Sequence, residues 1–353
     1  MSTTSNEKLT LGIIGCGWAT VNLHLPTLRR MPEYDVVAIA DMNLEQAQAI
    51  GNRFEVRHRF REASELMAYP ALDAVAICTP PGDHASLAIA AINAGKHLFI
   101  EKPLTLTLDQ ADRLVEIVTR TDRKVLVGFN LRWHRLVQQA KALLDVNGLG
   151  SLTLMRTVFT NSMLHDERIA AWRRDRSFGG GVIQDLAVHH FDLWRFLLRT
   201  EVEEISVSAC SKRWQDEVAV ISARMANGIL VSSVFASGTG ERHELECYGE
   251  AGQLRVSCYR HDGLQISSND KSGLAGRLAN ATAKAMALPG AIVRMRYGGE
   301  IFASYQAQWR HFHDCIRAES PVGCTVEDGR RAVVLAIAAT ESSLTGHPIT
   351  LKP

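Results

Sequence analysis

The sequence has almost no net charge, no paired cysteine motif, no long apolar run and no internal repeat. Lys and Arg number 39 against 38 Asp and Glu, which leaves a formal charge of +1 with the 13 histidines counted neutral. That balance removes the whole-chain attraction that drives binding to nucleic acid or to an anionic membrane surface, so neither partner is expected. The seven cysteines (Cys16, Cys78, Cys210, Cys247, Cys258, Cys315 and Cys324) are odd in number and contain no C-x-x-C pair. Several sit in apolar runs, as Cys78 does in AVAICT, where a thiol behaves as a small buried hydrophobe. A reducing compartment is implied rather than a disulfide framework. The first residues, MSTTSNEKLT, lack the apolar core of a signal peptide, and no apolar stretch approaches the roughly 18 residues of a membrane span. The expectation is a cytoplasmic chain with a disordered tail over 1–9.

What is present is a long, ordinary globular sequence. Its 353 residues predict two domains, and 46% hydrophobic residues suffice for a core without disulfide or metal staples. From Leu9 short apolar runs alternate with helix-length segments: 9–15, 35–41, 73–79, 97–101 and 124–130 read as strands, and 43–52, 83–94 and 107–121 as helices. The runs are continuously apolar rather than alternating, which means burial on both faces. That is the signature of a parallel sheet between two helical layers, with ligands beyond the carboxyl ends of the strands. After Asn130 the pattern changes to helices at 134–147 and 182–198 and consecutive β-branched runs at 151–160, 202–210, 217–225, 229–236, 243–248 and 253–259. These predict an α+β domain with a large open, mainly antiparallel sheet, closed by helices at 303–318 and 326–345. The expected division is 10–130 and 131–353. The Gly- and Ala-rich stretch 263–300 reads as an insertion with a helix near 276–287.

Candidate chemistry lies in three places. Gly12, Gly15 and Gly17 fall where the first strand turns into the first helix, a position at which glycine lets the backbone approach a pyrophosphate at a helix N-terminus. Asp41 closes the second strand, where a carboxylate accepts hydrogen bonds from ribose hydroxyls and repels a 2′-phosphate; NAD is therefore favoured over NADP. The third glycine of that fingerprint is replaced by Thr20. The second place is Glu101-Lys102-Pro103 at a strand end, where the lysine can stabilise charge on a substrate oxygen. The third is FGGGVIQDLAVHHFDLWRFLL. Its triple glycine reads as a flexible approach to a helix on which Asp185, His189 and Asp192 share one face. An aspartate beside a histidine can orient the ring as a general base, with His190 on another face. His311 and His313 point apart on a helix and cannot chelate one ion, so no metal is expected. Arg277, Arg294 and Arg296 read as a solvated surface, with an anion-binding role as the alternative.

Together these segments resemble the Gfo/Idh/MocA family of oxidoreductases, which includes inositol and sugar dehydrogenases. The resemblance rests on GIIGCGWA (12–19), Asp41, CTPPGDH (78–84), EKP (101–103), GFNLRW (128–133), GGGVIQDLAVHHFDL (179–193) and ESSLTGHPITL (341–351). It implies a Rossmann domain followed by an α+β domain whose sheet serves oligomerisation, hence a homo-oligomer, dimer or tetramer. It also implies hydride transfer between NAD and a secondary alcohol or ketone of a sugar, cyclitol or sugar nucleotide, with Lys102, Asp185 and His189 catalytic. By the same resemblance Trp18, Ala19, Thr79, Pro80, His84, Glu101 and Lys102 line the cofactor cleft, and Asn130, Arg132, Trp172 and Arg173 lie toward the substrate. The chain departs from the family at Thr20, and at Ala187 where a glycine is common. The alternatives are an NAD-dependent glycosidase of the same fold and a non-catalytic NAD-binding regulator, against which the retained acid–base set argues.

Overall fold

A computed structural model describes residues 8–167, 169–260, 262–268 and 299–352. The chain divides into two compact units, one of residues 1–129 with 305–333 and the other of 130–304 with 334–353. The stretch 305–333, expected in the second unit, thus packs with the first.

In the first unit β1 (Leu9–Ile14), β2 (Tyr34–Ala40), β3 (His58–Phe60), β4 (Ala74–Ile77), β5 (His97–Ile100) and β6 (Val125–Val127) form a parallel sheet in the order β3-β2-β1-β4-β5-β6. All four residues of β4 are buried, as a strand covered on both faces requires. The helices are α1 (Leu25–Leu28), α2 (Leu44–Phe54), α3 (Ala63–Met67), α4 (His84–Asn93) and α5 (Leu108–Val118). Side-chain oxygens fix two of their starts: Asn43 accepts from Gln46 N at α2, and Thr107 accepts from Gln110 N at α5. The tail expected over 1–9 lies outside the described residues as far as 7, and Leu9 already belongs to β1. Strand β3 went unpredicted because its three residues, HRF, carry no apolar run.

The second unit holds α6 (Arg135–Asp145), α7 (Val188–Leu198) and an eight-stranded sheet. Its strands are β7 (Leu152–Asn161), β8 (Val202–Cys210), β9 (Val218–Met225), β10 (Leu230–Ser237), β11 (Arg242–Gly249), β12 (Gly252–Ser257), β13 (Leu264–Ser268) and β14 (Ile349–Thr350), in the order β13-β12-β11-β7-β10-β9-β8-β14. Every pairing is antiparallel except β7 with β10. Phe191, Trp194 and Leu197 of α7 join Ile205, Ile221, Phe235 and Leu245 of the strands in one core. Two further helices, α8 (Gly299–Arg317) and α9 (Val326–Thr345), precede β14. Of the expected insertion, 264–268 is β13 and pairs with β12. The helix expected near 276–287, with Arg277, Arg294 and Arg296, lies outside the described residues. No helix among the described residues is long and apolar enough to cross a membrane.

Candidate active site

The turn after β1 packs its backbone tightly against the end of β4. Gly15 has φ +95°, and a Cβ there would lie 2.7 Å from the Cys78 carbonyl oxygen. Gly17 meets nothing within 4 Å, so its backbone faces open space. Gly12 is a correction to the sequence reading. It sits inside β1, and a Cβ there would come within 2.7 Å of Leu66, so it makes room for a leucine rather than for a phosphate. Thr20 shows why the third glycine is dispensable: its buried hydroxyl donates to the Gly15 carbonyl at 2.6 Å and ties the helical segment to the turn. That segment begins as a π-helical turn, Thr20–His24. Trp18 stands exposed beside it, and Ala19 is half-buried.

Asp41 follows β2 and is fastened to the same turn. One carboxylate oxygen accepts from Cys16 N at 2.8 Å and the other from Asn43 N at 2.9 Å, which leaves acceptor capacity on both. Thr79 follows β4 with its hydroxyl buried and without a hydrogen-bond partner; Pro80 beside it is exposed. A crowded left-handed glycine, an open one, an anchored carboxylate and an orphan hydroxyl fit a dinucleotide.

His84 is better described as a brace than as a cleft residue. It is fully buried, with Nδ1 2.9 Å from the Pro103 carbonyl oxygen and Nε2 2.9 Å from that of Thr79, so it ties the loops after β4 and β5 together. Burial lowers its pKa. Glu101 likewise turns inward: Oε1 lies 2.9 Å from His24 Nε2, and Oε2 accepts from Lys102 N at 3.1 Å. Burial pushes this carboxyl up, but the His24 hydrogen bond and charge together with the neighbouring Lys102 outweigh it and hold it below the usual carboxylate range. Lys102 is half-buried, and its peptide bond to Pro103 is cis.

In the second unit the triple glycine is crowded rather than flexible. Gly179 and Gly181 have φ of +88° and +79°, and a Cβ on Gly180 would lie 2.5 Å from backbone atoms of Trp172 and Arg173. A π-helical turn, Ile183–Ala187, then precedes α7. The wider turn adds a residue and rotates Asp185 away from its α-helical register. The three residues expected on one face have different surroundings. Asp185 pairs with Arg173, His189 is half-buried near Phe159, and Asp192 is fully buried in a bidentate pair with Arg132 (2.6–3.1 Å). The guanidinium of Arg132, expected toward the substrate, is thus engaged inside the unit. Asn130 donates to Ser304 Oγ at 2.9 Å. Trp172 lies under the Arg173 guanidinium, 4.8 Å away. His190 is buried, hydrogen-bonded to Thr157 and His243.

A small pocket of about 10 Å³ beside Asp185 is lined by Arg173, Met163, Trp214, Asp216, Glu217 and Ser237 among others. Reading the sequence passed over Asp216 and Glu217, because an Asp-Glu pair before a strand resembles any solvated turn. Asp216 is buried with φ +51°, and burial raises its pKa against the opposing pull of Arg176. No group of His, Cys, Asp and Glu arranged to hold a metal occurs among the described residues.

A parallel-sheet Rossmann unit with a glycine turn and an anchored carboxylate after its second strand, and an α+β unit with a large open sheet, define the class: an oxidoreductase architecture of the dinucleotide-binding kind. Residues 9–129 match the Gfo/Idh/MocA oxidoreductase family, NAD-binding Rossmann fold, and 141–351 match that family's C-terminal α/β domain. The chain belongs to this family. It is 30% identical over 270 residues to an uncharacterized oxidoreductase of Synechocystis, which covers 71% of this chain and 72% of that protein. It is 25% identical to myo-inositol 2-dehydrogenase of Thermotoga maritima, covering 94% of this chain and 95% of that one. Among solved structures, levoglucosan dehydrogenase in complex with NADH superposes with a TM-score of 0.82 at 22% identity, covering 98% of this chain and 100% of that one.

Proposed function

We propose that this protein is an NAD-dependent dehydrogenase that interconverts a secondary hydroxyl and a ketone on a sugar or cyclitol. The observation that carries the reading is Asp41, whose carboxylate is anchored to the glycine turn and keeps acceptor capacity for ribose hydroxyls while disfavouring a 2′-phosphate. Gly15, Gly17, Trp18, Ala19, Thr79 and Pro80 complete the cofactor's side. When bound, NAD supplies the hydride acceptor or donor. His189 takes the proton of the substrate hydroxyl, Asp185 orients the reacting group with Arg173 as its counter-ion, and the Lys102 ammonium stabilises charge on the oxygen. The names of the relatives, which act on inositols and levoglucosan, support a polyol substrate.

The reading extends to setting and assembly. Seven free cysteines suit a reducing cytoplasm. The exposed Val220 and Leu230, on the face of the large sheet away from the core, suit association with another copy of the chain as a dimer or tetramer.

The test is nicotinamide absorbance with NAD and a panel of inositols, aldoses and levoglucosan. Turnover is expected with at least one polyol, and Lys102→Met and His189→Asn each lower it by roughly two to four orders of magnitude without loss of folding. A variant with wild-type turnover would contradict that residue's role. Release of a free sugar from a glycoside without net NADH would replace the dehydrogenase reading with glycosidase chemistry.

A further inference from the structure

We propose that His24 is a positioning residue that holds Lys102 in place through Glu101 and links the lysine to the glycine turn; the inference rests on the catalytic reading of Lys102. His24 closes the π-helical turn Thr20–His24, whose first residue is hydrogen-bonded to the Gly15 carbonyl. Its Nε2 lies 2.9 Å from Glu101 Oε1, and the other Glu101 oxygen accepts from the backbone N–H of Lys102. Its Nδ1 faces the indole N–H of Trp309 at 3.2 Å. A carboxylate oxygen can only accept, so Nε2 carries a proton directed at Glu101.

The imidazole has no room to turn. It is fully buried, and the rings of Phe99, Tyr305 and Trp309 stand edge-on to it at 5.3–5.7 Å. Trp309 is itself fixed, because its carbonyl accepts from the Tyr34 hydroxyl at 2.7 Å. Gly128 leaves room for the Glu101 side chain, since a Cβ there would come within 3.2 Å of Glu101 Oε1. The result is a continuous relay from Trp309 through His24 and Glu101 to the lysine's backbone. Its buried carboxylate accepts from one N–H of each neighbour, His24 Nε2 and the Lys102 backbone. Besides His24 and Lys102, Glu101 faces the His84 ring. A relay of this kind acts on the placement of the ammonium rather than on its presence, and misplacement of a reacting group by about 1 Å costs on the order of a hundredfold.

Full-length His24→Gln, His24→Asn and Lys102→Met are compared for kcat, KM, NADH affinity by fluorescence, and the pH dependence of kcat. A glutamine amide reaches the position of Nε2 and can donate to Glu101, whereas an asparagine amide stops at the position of Nδ1. The glutamine variant is expected within about threefold of wild type. The asparagine variant should lose about ten- to a hundredfold in kcat with KM changed far less, because charge stabilisation by Lys102 matters chiefly in the transition state. It should also acquire a loss of kcat toward acid pH, since burial raises the pKa of a Glu101 deprived of its donor. Equal kcat and pH profiles for the two amides, whether both active or both impaired, would overturn the relay. Wild-type kcat in Lys102→Met would instead remove the catalytic reading on which it rests.

Discussion

Replacing Arg132 with methionine separates a structural role from a substrate-binding one. The Arg132 and Asp192 side chains are 7% and 1% exposed and are joined by three N–O contacts of 2.6–3.1 Å, with the guanidinium also over the Phe196 ring at 5.2 Å. The intact pair contributes little net stability, because desolvating two charges offsets most of their attraction. Removing one partner is different: the Asp192 carboxylate then stays buried without its counter-charge, at a cost of about 3–5 kcal/mol. With a shift of about 2–4 °C per kcal/mol for a unit of this size, the melting temperature should fall by roughly 6–20 °C. Arg132→Met combined with Asp192→Leu removes both charges and should recover most of the loss. The assay is calorimetric or circular-dichroism melting of the single and double variants, with polyol KM measured in parallel. An Arg132→Met protein within about 1 kcal/mol of wild type but with a greatly raised KM would refute the structural assignment and return Arg132 to the substrate.

Three further outcomes are expected. His190 is pushed down to about 3 by burial, and His243 is driven well below its ordinary value by burial and by its histidine neighbours, so both stay neutral in the folded chain. The unfolded chain takes up their protons below about pH 6.5, so stability is fully present above that pH and falls on acidification, by up to about 1.4 kcal/mol per pH unit for each histidine. Urea midpoints between pH 7 and 5 should fall, and His243→Gln should flatten the dependence; an unchanged slope would contradict the assignment. Gly15→Ala places a Cβ 2.7 Å from the Cys78 carbonyl at φ +95°; NADH affinity should drop by more than about tenfold, and unaltered affinity would refute the cradle. Asp41→Asn keeps an acceptor for Cys16 N but loses the charge, so the NADH-over-NADPH preference should narrow by about tenfold in relative Kd, with no change as the contrary result.

The parts of the fold visible in the sequence were those set by local pattern. Continuous apolar runs identified β1, β4 and β5, and the Asn43 and Thr107 caps sit where α2 and α5 were expected to begin. What stayed hidden depends on partners distant in sequence. Arg132 and Asp192 are 60 residues apart, and nothing local marks one as the other's counter-ion. His84 looked like a cleft residue until both ring nitrogens were seen to face backbone carbonyls. The Ile183–Ala187 turn was also invisible, because the spacing of Asp185, His189 and Asp192 satisfies a regular α-helix and a π turn leaves no composition signal. The triple glycine answers crowding by Trp172 and Arg173 and two positive φ angles rather than a need for flexibility, and neither demand shows in the local sequence.

The most direct test of the account is a titration of the purified protein, freed of any bound nucleotide, with NADH and separately with NADPH, following the fluorescence of the exposed Trp18 beside the glycine turn. Saturable binding with NADH clearly tighter is the predicted result, since the proposed roles of Gly15, Gly17 and Asp41 are to hold a pyrophosphate and an unphosphorylated ribose. Saturation by neither nucleotide would contradict the account at its centre.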